Sequence, residues 1–155
     1  MRASHQPQVH IKLLVDAPAK PHLRGMRRGW KGALGKMADE VWKRERGNIP
    51  ASVAIVFVGP ERMRELNRSF RGRDAVTDVL TFDLADSVDS VEGEIYVCPE
   101  FAAGQLGTYG TDLHQQVVRL VLHGVLHLAG HDHHTLADGK RMADLTRRYL
   151  REFVW

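Results

Sequence analysis

The chain has 155 residues, 43% of them hydrophobic, and a formal charge of +3. That length suits one domain with one core and leaves no room for a separate binding module, while the small basic excess agrees with a polyanionic partner without singling one out. A lone cysteine, Cys98, excludes an internal disulfide, and Met1 to Gln6 lack the apolar core of a secretory leader, so a cytoplasmic protein is expected.

Residues 1–7 read as a frayed tail. Val9 to Val15 alternates well enough for a first strand, closed by the proline and alanine of 17–21. From Arg24 to Arg46 a helix is predicted, with Trp30, Leu34, Met37, Val41 and Trp42 on a core-facing stripe. Glycines at 25, 29, 32 and 35 each cost about 1 kcal/mol relative to alanine, so its start is predicted to be irregular. Arg24, Arg27, Arg28, Lys31 and Lys36 form the densest basic cluster, either a solvated helix face or a phosphate-contacting patch.

Ala51 to Val58 is a short apolar run, a buried strand. Pro60 opens a helix with Met63, Leu66 and Phe70 inward and an end near Gly72. A basic turn leads to a third strand within Thr77 to Phe82, an acidic loop covers Asp86 to Asp89, and Gly93 to Cys98 is a fourth strand. Cys98 is read as packing, Pro99 to Leu106 as a short helix. Asp138 to Phe153 forms a last helix, with Met142, Leu145, Tyr149, Leu150 and Phe153 inward and a basic outer face.

Asp112 to Ala129 contains no proline and is apolar nearly all round, the pattern of a buried helix. Its length approaches that of a membrane span, but Asp112, His114, Gln115, Gln116, Arg119, His123 and His127 interrupt it, so no membrane segment is predicted. Strands interleaved with helices give a single α+β domain over 1–155: a small four-stranded mixed sheet covered by helices, with this buried helix at its centre.

On that helix His123 and His127 are four apart, so their imidazoles leave one face a turn apart and can reach one ion. Gly130 lets the chain turn and return His133 as a third ligand. Three protein ligands with a fourth position for water describe a catalytic zinc site, whereas a structural site closes with four, often cysteines. Three histidines also suit nickel, copper or iron. The metzincin template H-E-x-x-H-x-x-G-x-x-H is met at the histidines and the glycine, but Gly124 stands where its general-base glutamate belongs, which counts against a peptidase.

The run from His123 to His133 resembles the signature of the YbeY family of bacterial endoribonucleases and rRNA maturation factors, H-G-x-L-H-L-x-G-x-D-H, including Gly124, Leu126, Leu128 and Asp132. Leu66 to Asp83 resembles the same family's L-N-x-x-Y/F-R-x-x-D-x-P-T-D-V-L-S-F-P, with Val76, Thr81 and Asp83 in place of proline, serine and proline. Gly93-Glu94-Ile95 is similar to its G-D-I segment. By this resemblance the family's functional arginine falls on Arg71.

The resemblance implies a zinc-dependent, single-strand-specific endoribonuclease acting in 16S rRNA 3′-end maturation and ribosome quality control. Its partners would be RNA, ribosomal particles and assembly proteins. A guanidinium at Arg71 can hold two phosphate oxygens at once and stays charged near neutrality. Asp132 is either a carboxylate orienting a ligand imidazole or a general base, with His131 as the other candidate base. Two further readings stand beside this one: a ribosome-assembly factor whose zinc only holds the fold, and a metallohydrolase or peptidase with another substrate.

Overall fold

The computed structural model describes residues 8–109, 112–131 and 134–153. Four strands form one mixed sheet in the order β1-β2-β4-β3, with β1 Val9–Val15, β2 Ala51–Phe57, β3 Val79–Asp83 and β4 Val91–Val97. β1, β2 and β4 run parallel; β3 closes one edge antiparallel to β4, with Thr81 opposite Ile95. The helices are α1 Trp30–Arg46, α2 Pro60–Arg71, α3 Pro99–Ala103, α4 Leu106–Tyr109, α5 Leu113–Leu128 and α6 Leu136–Glu152, and a 3-10 helix covers Ala17–Leu23.

Strand alternation sends side chains to two separate cores. Val53, Ile55 and Phe57 of β2, with Ile95 and Val97 of β4, pack with Leu34, Met37 and Val41 of α1 and the apolar side chains of α5. On the other face Val56, Leu80 and Cys98 meet Met63 and Leu66 of α2. The sheet is thus sandwiched, with α2 as the main cover of one side and Phe101 of α3 packed beside it. Helix α5 touches α1, α3, α6, β3 and β4, which makes it the buried central helix that the sequence predicts. The α+β single domain with its small mixed sheet is likewise as expected.

Four details differ from the sequence reading. The short helix expected over Pro99 to Leu106 is two, Pro99–Ala103 and Leu106–Tyr109, the second reaching into what reads as a loop from Gly107 to Thr111. The first long helix begins at Trp30, because Gly29 sits in the left-handed region (φ 77°) and breaks it from the turns at 24–28. Trp30 then meets Phe57 edge to face at 5.2 Å. Phe70, predicted inward, is 68% exposed. It stands beyond Leu66 over β3, the edge strand, and among the described residues no further strand lies beyond β3 to cover it. Finally, α6 starts two residues earlier than predicted, capped by the Thr135 hydroxyl, which accepts from the Asp138 backbone N–H at 3.0 Å. Cys98 is fully buried, and burial pushes its thiol up from the ordinary value, as suits a packing residue.

His114 joins the start of α5 to the segment before α1. Its Nδ1 accepts the Arg27 backbone N–H at 3.3 Å, while the Arg27 guanidinium pairs with Asp112 at 3.1 Å. Burial first, and then the Arg27 charge, holds the His114 imidazole below its usual range, partly opposed by Asp112. In the unfolded chain a histidine titrates near pH 6.5, so this contribution is complete above about pH 6.5 and is lost as pH falls through the lower folded value. The urea midpoint should therefore drop more steeply from about pH 7.5 to about pH 5 in the wild type than in His114→Asn, whose carbonyl accepts without titrating. Equal slopes in the two proteins would contradict this role.

Candidate active site

Helix α5 is fixed at both ends. Asp112 caps it, its carboxylate accepting from the Gln115 N–H at 2.8 Å while the Gln115 side chain accepts from the Asp112 N–H at 3.3 Å. At the other end Gly130 takes φ 101°, the His131 N–H donates to Leu126 and the Gly130 N–H to His127. These two bonds make a Schellman stop, so the glycine does turn the chain where the sequence places the turn. The Arg46 guanidinium adds a bond to the Ala129 carbonyl at 3.3 Å.

Glycines set the height of α5 over the sheet. A Cβ on Gly124 would lie 2.8 Å from Ile95 Cγ2, and one on Gly93 would lie 2.7 Å from Leu128 Cδ1. With position 124 pressed onto the sheet, the next face round carries His123 and His127, both half-buried, toward β3. The place of a metzincin glutamate is therefore filled by Ile95.

Arg71 arrives from the opposite side of the sheet. Helix α2 ends at Gly72 (φ 67°), and the chain then runs to β3 through a loop tied back to the helix. Asn67, buried, donates from Nδ2 to the Ala75 carbonyl at 2.9 Å, and the Arg73 N–H donates to the Asn67 carbonyl. Arg64 holds Asp74 through two bonds of 2.7 and 3.1 Å. Asp78 accepts the Val79 N–H at 2.8 Å, and its own carbonyl accepts from Cys98 at 2.8 Å, which positions the start of β3 and gives this side chain a structural part.

Held in this way, the Arg71 guanidinium reaches round the edge strand and donates from Nη2 to the Thr81 carbonyl at 3.2 Å. It lines one hollow of about 150 Å³ with Val79, Leu80, Thr81, His123 and His127. A cation able to grip a phosphate thus shares a recess with two imidazoles able to hold a metal. The two histidines and the arginine lie 52 residues apart in sequence at their nearest, Arg71 to His123, yet face the same small space.

Asp132 and His133 lie outside the described residues. Among the described residues no group of three or more His, Cys, Asp or Glu side chains is arranged to hold a metal ion. What the structure supplies toward one is the donor pair His123 and His127, chemically suited to zinc and one turn apart on a rigid helix. His131 points elsewhere: its Nε2 lies 3.2 Å from a Glu45 oxygen, in a larger cleft between α1 and α6, and the other Glu45 oxygen accepts from the Tyr149 hydroxyl at 2.7 Å. Sequence reasoning missed the tie made by Asn67 and the Thr81 carbonyl that anchors Arg71. The L-N-x-x-F-R run contained the first signal; backbone carbonyls leave none.

Residues 24–154 match the family model described as Endoribonuclease YbeY. Among named relatives, Endoribonuclease YbeY of Thermotoga neapolitana is 36% identical over 94% of this chain and 89% of its own length. The Staphylococcus aureus protein of that name is 32% identical, covering 73% of this chain and 79% of its own. A Thermotoga maritima protein of known solution structure is similar with a TM-score of 0.61 and 32% identity, over 92% of this chain and 88% of that one. With the family model spanning most of the chain and residues of both signatures lining one recess, this chain belongs to the endoribonuclease YbeY family.

Proposed function

We propose that this chain is a zinc-dependent endoribonuclease that cuts single-stranded RNA. The observation that carries the reading is the shared hollow, in which Arg71 faces His123 and His127. The relatives' name, which says of them that they are endoribonucleases, supports the substrate class. The family resemblance supports a place in 16S rRNA 3′-end maturation and ribosome quality control, with rRNA and ribosomal particles as partners and a cytoplasmic location. No helix among the described residues is long and apolar enough to cross a membrane.

His123 and His127 would hold the ion as neutral imidazoles, with His133 as the third ligand. When bound, zinc supplies Lewis acidity toward a phosphoryl oxygen and a nucleophile at neutral pH. Arg71 binds the scissile phosphate from the opposite wall, and because charge grows on the phosphoryl oxygens in the transition state, its grip tightens there. Tied to Thr81 before substrate arrives, the guanidinium loses little freedom on binding. Asp132 would orient a ligand imidazole or take the proton of an attacking hydroxyl. The filled position at Gly124 weighs against a peptidase.

Metal analysis of purified protein should give about one zinc per chain, falling strongly in His123→Ala, His127→Ala and His133→Ala. Chelation should stop RNA cleavage and added zinc restore it. Full cleavage by chelated, metal-free protein would overturn the metal role.

A further inference from the structure

Phe70 is an aromatic side chain left mostly in solvent, at 68%. An exposed phenyl forgoes burial that a binding partner can supply. Its place is particular. Phe70 precedes Arg71, and its ring lies 5.1 Å from that of Phe82, the residue after Thr81, whose carbonyl anchors Arg71. Phe82 in turn meets Tyr96 edge-on at 5.8 Å. The three rings form a row whose inner members are packed in the sheet and whose outer member is open.

We propose that Phe70, backed by Phe82, is a stacking platform for the base of a nucleotide flanking the phosphate held by Arg71. This deepens the nuclease reading and rests on it. Arg68, one helical turn before Arg71, and Arg73, two residues after it, are exposed, so Arg71 is not the lone cation at this end of α2 for a phosphate backbone. One open ring at the end of a row over an edge strand offers a flat face, which suits a base better than an aliphatic protein anchor. Every base has a π-face, so such a platform prefers single strands, whose bases are free to splay, without reading sequence. A strand leaving the hollow past Arg71 would cross the edge of β3 and meet Phe70.

The test is fluorescence anisotropy with a labelled 2′-O-methyl single strand that resists cleavage, on zinc-loaded wild type, Phe70→Ala, Phe70→Leu and Phe70→Trp. Binding should weaken about tenfold or more in Phe70→Ala and Phe70→Leu and be kept in Phe70→Trp. An abasic residue at one position of the strand should weaken wild-type binding equally and remove the difference between wild type and Phe70→Ala. That loss of difference separates a base contact from a disturbed Arg71. Wild-type affinity in Phe70→Ala, or in Phe70→Leu, overturns the platform, the latter because an aliphatic side chain cannot stack on a base. No binding by the wild type overturns it as well, whereas binding as expected with no cleavage of unmodified RNA sinks only the nuclease reading.

Discussion

Arg71→Ala is expected to lower kcat/KM for single-stranded RNA by about 10²–10³, the loss that follows removal of one preorganised donor to a developing oxyanion. The zinc content should not change, since Arg71 is no ligand. Stability should change little. The guanidinium is exposed apart from its bond to the Thr81 carbonyl, and water can take over that acceptor. Arg71→Lys tests the reason more sharply. Lysine keeps the charge but offers a point donor where the planar fork can meet two oxygens, and it cannot hold Thr81 while gripping phosphate in the same way. An activity between those of wild type and Arg71→Ala is expected, with the fall mainly in kcat. Equal activity of Arg71→Lys and wild type would remove the two-oxygen grip from the mechanism.

Gly124 carries the second large effect, on the fold. Alanine there gains about 1 kcal/mol of helix propensity, but its methyl would sit 2.8–3.0 Å from three carbons of Ile95, which is fully buried in mid-strand. Overpacking of this kind costs about 1–3 kcal/mol, and a β-branched side chain held on both sides has few ways to yield, so a net loss is expected. Equilibrium unfolding of Gly124→Ala, Ile95→Ala and the double variant should show the double to be more stable than the sum of the singles allows. Additivity would mean that the close approach is not what requires glycine. Gly124→Glu adds a buried charge to the clash and should not fold, so one substitution cannot restore a zincin base.

Both experiments probe features that were unequally visible in the sequence. The histidine spacing on an apolar helix, the stop at Gly130 and the strand-helix alternation were legible because each depends on local periodicity or on one residue's backbone freedom. The meeting of Arg71 with His123 and His127 was not legible from spacing. It depends on α2 and α5 lying on opposite faces of the sheet and on β3 being the edge round which an arginine can reach. Only the motif resemblance singled out Arg71 beforehand.

Phe70 shows the converse failure. Its step of four from Leu66 places it on the inward stripe, but the stripe outlasts the sheet beneath it, and periodicity carries no information about where a neighbouring layer ends. In the sequence Gly124 stands only as an absent glutamate, and its positive role, close packing on Ile95, appears once β4 is beside the helix. Asp132, read with the family motif, and His133, read from its place past the Gly130 turn, lie outside the described residues.

The central claim is that one metal ion on the α5 histidines and one arginine across the hollow cut RNA together. The most direct measurement is cleavage of an rRNA fragment bearing a 3′ precursor tail by zinc-loaded protein, run beside His123→Ala and Arg71→Ala from the same purification. Cutting by the wild type that is lost in His123→Ala and reduced about a hundredfold or more in Arg71→Ala is the predicted result. Cutting that persists undiminished in both variants would contradict it.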